Sequence, residues 1–349
     1  MSLSVREKGR LLARVLAGSW RATPPEVDFS GSDLEAVAPL LNRSGTGALA
    51  WWRVRVSTLR GSPVASDFQQ MYRANILESR LGEEKIRDVV EILRSSGIDA
   101  VLVKGLTVAR HYCERGLRPY GDIDVCVRPA QYAAAGSALA QLNGKHHVDL
   151  HSGFETLGDE DAEQLFARSR LLAHEDLEVR VLAPEDLFRV VCFHMLREGA
   201  WRPLWLVDVA SLLESLPSDF DWDLCLGEKR RAQYVGCAVR LTRDLLGANF
   251  DLPSLSNFQQ LPRWVVPTVL SEWGEQVPSM RRRHERPMAD HIRHPANLIS
   301  GLRHRWPNPI EATILMKSSI SESPRLPIQV RACLSRTAAF LFNFSERWS

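Results

Sequence analysis

Asp122 and Asp124 lie one residue apart in the run Leu117-Arg118-Pro119-Tyr120-Gly121-Asp122-Ile123-Asp124, and two carboxylates so placed can share a divalent metal. A strand repeats every second residue, so both acids project from one face while Ile123 and Val125 turn to the core. Mg²⁺ takes oxygen ligands and combines one or two carboxylates with substrate phosphates. Such ions neutralise a triphosphate and align the oxygens of phosphoryl or nucleotidyl transfer. Acidic pairs at this spacing also occur on solvated faces, so the reading depends on the elements that position the pair.

Those elements can be read on both sides. Asp99 to Leu106 is a short apolar, β-branched strand closed by Lys104-Gly105, where the glycine permits a sharp turn and close approach of backbone amides to a phosphate. Lys104 adds a point positive charge there, or stands as a solvated lysine at a strand end. Pro129 opens an alanine-rich helix that Asn143-Gly144 stops. Lys145 to His151 then alternates polar and apolar residues, which places His147, Asp149 and His151 on one face of a strand, with Asp149 as a third carboxylate. Before all of this, Asp67 to Arg94 carries Ile76, Leu77, Leu81, Ile86, Val89, Val90 and Leu93 at helical spacing, a long amphipathic helix ended by Gly97.

The combination Lys104-Gly105, Tyr112, Arg118-Pro119-Tyr120-Gly121-Asp122-Ile123-Asp124 and Val148-Asp149-Leu150-His151 resembles the uncharacterised nucleotidyltransferase family. That family is a bacterial branch of the DNA polymerase beta-type nucleotidyltransferase superfamily. The resemblance extends through Pro184 to Phe188, His194, Trp205 to Ala210 and Asp221-Trp222. It implies an α+β fold: a small mixed β-sheet nucleotidyltransferase core flanked by helices, with a helical C-terminal region. By the same resemblance, Asp122, Asp124 and Asp149 are metal ligands and catalytic residues, with Asp149 also a candidate base for the acceptor hydroxyl. Lys104, Gly105 and Arg118 belong to the nucleotide site. Arg118 reaches a phosphate or pairs with a carboxylate; a salt bridge steadying its loop is the other reading. Leucine at 106, where the wider superfamily has serine, and a short connection before Asp149 are the two departures from the pattern.

The implied activity is Mg²⁺-dependent, with Mn²⁺ as the alternative ion. It transfers a nucleoside monophosphate, expected to be AMP from ATP, to a hydroxyl-bearing small molecule, peptide or protein in a biosynthetic tailoring step. RNA is the less favoured acceptor. Two other readings stay open: a catalytically impaired nucleotide-binding or scaffold protein, and a toxin-like tRNA nucleotidyltransferase.

Composition sets outer limits. A chain of 349 residues can bury a full core, and its net charge of +2 makes no case for a polyanionic partner. The expected regions are an N-terminal helical region (1–66), a catalytic core (67–182) and a helical substrate-binding domain (183–349). Six cysteines form no Cys-x-x-Cys pair, no apolar run is long enough for a bilayer, and no signal-peptide core is present, so a reducing, cytoplasmic setting is expected. His194 and Asp208 read as internal contacts joining helices, with contact to nucleotide or acceptor as the alternative. His147 and His151 are poor ligands for Mg²⁺. The basic run Arg281 to Arg286, with Arg293, Arg303 and Arg305, reads as a solvated face, or less readily as an RNA contact.

Overall fold

The computed structural model describes residues 3–153, 162–174, 177–250, 260–275 and 306–346. The basic run from 281, with Arg293, Arg303 and Arg305, lies outside them.

Helix starts follow local capping chemistry. Ser4 and Ser30 each accept a hydrogen bond from the third helical amide, while Glu7 and Asp33 reach back to the cap amides, so α1 (Val5–Leu16) and α2 (Gly31–Ser44) begin with satisfied donors. Gly45 closes α2 in the left-handed conformation at φ 75°, and α3 (Gly47–Val54) follows. The long α4 (Pro63–Ser95) starts on a Ser62 cap. Its first turns bury Phe68 in the main core, and its last turns bury Ile86, Val89 and Leu93 under the sheet. Leu77 and Leu81, expected on the apolar face, are 64% and 53% exposed, because they lie between those two packed ends.

Five strands form one mixed sheet in the order β3-β2-β1-β5-β4. They are β1 (Ala100–Leu102), β2 (Ile123–Val127), β3 (Val148–Ser152), β4 (Arg170–His174) and β5 (Leu177–Val181). The short α5 (Leu106–Ala109) follows β1, α6 (Tyr132–Ala140) joins β2 to β3, and α7 (Ala162–Arg168) precedes β4. β1 runs antiparallel to β2 and parallel to β5, while β2 and β3 are parallel. The expected α+β architecture is present, with β4 as an unanticipated edge strand paired antiparallel to β5. The strand expected from Lys145 starts only at Val148, since Asn143 and Gly144, both at positive φ, turn the chain first.

Period-two alternation gives the sheet two unlike faces. Ile123, Val125, Val127 and Leu102 pack with α4 and α6 in one cluster, while Val101, Val103 and Cys126 belong to the main core. That second face is turned toward the helical half, which comprises α8 (Pro184–Arg197), α9 (Pro203–Glu214), α10 (Trp222–Leu226), α11 (Lys229–Leu246), α12 (Val265–Gly274), α13 (Pro309–Leu315) and α14 (Leu326–Glu346). The N-terminal helices share its core, and α1 packs along α12.

Candidate active site

Alternation along β2 places Asp124 on the same face as Cys126, toward the helical half. The parallel register sets Asp124 opposite Asp149 and Cys126 opposite His151, so the short connection after α6 brings the third carboxylate alongside the second. Asp124 is buried and Asp149 exposed. His151 lies between them, its Nε2 3.3 Å from an Asp149 oxygen and 3.5 Å from Asp124 Oδ1. Ligand atoms of Asp124, Asp149 and His151 lie within 4.8 Å of one another. Two carboxylates and an imidazole are a chemically suitable donor set for a divalent cation. Asp122 stands just before the strand and is exposed on the adjoining cavity, outside that three-residue group.

Lys104 extends from the end of β1 and places Nζ 2.9 Å from Asp124 Oδ1. Burial pushes the Asp124 carboxyl up, but the His151 hydrogen bond and the Lys104 charge outweigh it and hold the group at about 2, so it is ionised at neutral pH. Gly105 takes φ 65°, ψ −113°, a conformation open only to glycine. Its amide makes no hydrogen bond among the described residues.

Arg118 has a different set of partners from a phosphate ligand. Its Nε and Nη2 donate to the two Asp208 oxygens at 2.7 and 3.0 Å, and Nη1 donates to the Gly105 carbonyl at 3.4 Å. The Tyr112 hydroxyl donates to the same carboxylate at 2.6 Å. Burial works against the Arg118 charge, yet Asp208 outweighs it and holds the guanidinium more firmly protonated than usual. Of its two expected roles, this is the geometry of the internal salt bridge, tying α9 to the Gly105 turn. Asp208 therefore pairs with Arg118, and among the described residues His194 has no carboxylate partner. The His194 ring stacks edge-on against Trp205 at 4.6 Å, and its nitrogens make no hydrogen bond among the described residues. Burial, with the Lys104 and Arg197 charges added, pushes its pKa down to about 3.

A cavity of about 300 Å³ opens beside Asp122 and Asp124, lined also by Lys104, Gly105, Tyr120, Trp205 and Arg202. Residues 30–146 and 141–250, more than half the chain, match the family described as uncharacterised nucleotidyltransferase. The chain belongs to that family. Comparison with curated proteins gives no match, and neither does comparison with solved structures. The two matched segments of this family member meet at 141–146, within the short connection between α6 and β3. Family membership implies a nucleotide substrate and an acceptor.

Arg202 is the residue that sequence reasoning missed. Its Nε donates to the Ser44 carbonyl at 2.9 Å, which anchors the guanidinium at the C-terminus of α2. Burial and the Arg118 charge lower its pKa, and no carboxylate lies within ion-pair distance among the described residues. His151 adds a nitrogen donor beside the two carboxylates; an imidazole suits transition metals such as zinc, iron or nickel better than Mg²⁺. Among the described residues no helix is long and apolar enough to cross a membrane.

Proposed function

We propose that the protein transfers a nucleoside monophosphate, AMP from ATP, to a hydroxyl-bearing acceptor and releases pyrophosphate. One observation carries the reading: the β2–β3 register sets Asp149 and His151 beside Asp124, at the edge of a cavity holding Lys104, Gly105 and Arg202. Asp124, Asp149 and His151, with Asp122 reaching in from the cavity side, would hold the divalent ion, Mg²⁺ or Mn²⁺. When bound, that ion supplies charge neutralisation for the triphosphate.

The protein's own groups account for the rest. Arg202, a cation with no carboxylate within ion-pair distance among the described residues, meets the phosphate charge. The Gly105 amide approaches phosphate oxygens because no Cβ intervenes. Lys104 sits near enough to shift from Asp124 to a phosphate. Arg118 is a positioning residue that holds the Gly105 turn through Asp208 and Tyr112. Exposed Asp149 takes the proton as the acceptor oxygen attacks the α-phosphorus, and the bond from that phosphorus to the bridging oxygen breaks, releasing pyrophosphate. Tyr120 and Trp205 offer aromatic walls for the base. Alignment and electrostatics, rather than covalent chemistry, would supply most of the rate. Four buried cysteines, Cys126, Cys192, Cys225 and Cys237, none of them in a disulfide among the described residues, support a reducing, cytoplasmic setting.

The test uses ATP labelled at the α-phosphate, the other NTPs labelled likewise, Mg²⁺ or Mn²⁺, and a cell lysate. Wild type should label a species that Asp124→Ala does not. Equal labelling by both sinks the proposal. ATP binding without pyrophosphate release across acceptors would identify a nucleotide-binding protein that has lost catalysis.

A further inference from the structure

Lys104 and His194 divide the cleft into two lobes. The first is the cavity with Asp122 and Arg202. The second, about 340 Å³, lies on the β3 side, with Lys104 and His194 on its wall as on that of the first. Their linings differ in charge. Four acids, Glu78, Asp122, Asp124 and Asp208, line the first lobe. None lines the second among the described residues, where the polar groups are Lys104, Tyr132, His151, Ser152, His194 and Arg197.

Four of those six have open hydrogen-bonding capacity. The Tyr132 hydroxyl, the Ser152 hydroxyl and the His194 ring make no side-chain hydrogen bond among the described residues. Arg197 forms only a loose ion pair with Glu198, its Nε 3.6 Å from the carboxylate, beyond hydrogen-bond reach. His194 is kept neutral by burial, so its ring can donate at one nitrogen and accept at the other. Val103 and Val190 supply apolar wall between these groups. A concave, partly apolar site with a few converging unsatisfied polar groups is the usual form of a small-molecule pocket.

We infer that the second lobe binds the acceptor, and that the acceptor is a small hydroxylated molecule bearing a carboxylate or a phosphate. The anionic group pairs with Arg197, while the hydroxyl points to His151, whose ring adjoins Asp149 at 3.3 Å. The hydroxyl's assignment rests on the transferase reading. The anion's assignment rests on the lobe's own lining.

The experiment titrates glycerol 3-phosphate, glycerate and neutral glycerol into the protein by calorimetry, with and without α,β-methylene-ATP and Mn²⁺. Wild type should bind at least one of the two anions, with or without the nucleotide analogue, and not glycerol. Arg197→Gln should weaken that anion about tenfold, as expected for losing one charge-assisted contact, and leave the analogue's affinity within twofold. Tyr132→Phe, which keeps the ring, should weaken it less. Glycerol binding as well as the anions, or neither anion binding at millimolar concentration, overturns the inference. So does a tenfold loss of analogue affinity in Arg197→Gln, which would make this the nucleotide's lobe. If the analogue fails to bind wild type, the transferase reading falls, and the titrations without nucleotide still decide the lobe's anion preference.

Discussion

At the scale of single residues, Asp208 is the member of the site with the most to lose. It is the common acceptor for Tyr112 and for both forks of Arg118. Asp208→Ala would leave a buried guanidinium without its counter-charge, a change that typically costs about 3–5 kcal/mol. Denaturant melts should show that loss, and Arg118→Lys, which keeps a charge opposite Asp208 but cannot form the bidentate fork, should also lower stability. A second residue-scale expectation concerns acid. His194 and His111 are held down to about 3 and about 4, in both cases first by burial. Their unfolded forms bind protons near pH 6.5, so they add stability in full above that pH and lose it as pH falls toward those values. Asp124 behaves differently: its contribution holds above about 3.8 and is lost only as pH falls through about 2. Both histidines therefore contribute to the slope between pH 6.5 and 4. His194→Gln should flatten it by up to about 1.4 kcal/mol per pH unit, and an unchanged slope would contradict this account. Asp124, Asp149 and Lys104 were legible as neighbours in the sequence because strand alternation and the Gly105 turn fix their placement. Arg202 was not legible, because a lone arginine before Pro203 carries no periodic signal and its anchor is a carbonyl 158 residues earlier in the chain.

At the scale of elements, glycine decides how closely two helices approach. Gly9 in α1 lies against the backbone of α12: a Cβ built there would stand 2.1 Å from the Leu270 carbonyl oxygen. The helical propensity of alanine would favour Gly9→Ala by about 1 kcal/mol if α1 stood alone. Overpacking of about 1–3 kcal/mol should dominate instead, since backbone cannot give way as a flexible side chain can. A lowered melting temperature is the expected outcome, and a raised one would show that the helices separate easily. The same scale explains why α4, β1 and β2 were readable while β4 was not. Periodicity marks the first group, whereas Arg170-Leu171-Leu172-Ala173 lacks β-branched residues and leaves Leu171 55% exposed on an edge. Pairing with β5, rather than local preference, makes it a strand.

At the scale of the whole molecule, the three ranges expected from the sequence, 1–66, 67–182 and 183–349, all contribute side chains to one core. A single buried cluster runs from Leu12 and Leu41 through Val101 and Val103 to Phe188, Val235 and Trp273. Removing residues 1–62 should abolish cooperative thermal unfolding and not merely weaken nucleotide binding, with Arg202 also losing its Ser44 anchor. A shortened chain that melts sharply and still binds ATP would show the N-terminal helices to be an independent appendage. The seating of α1 on α12 also sets a schedule for synthesis. Arg6 donates to Ser271, 265 residues further along the chain. At about 5–20 residues per second, roughly 13–50 s pass between the emergence of α1 and that of its partner helix. During that interval the apolar face of α1 has no native cover on the α12 side, so it stays exposed until α12 has been made.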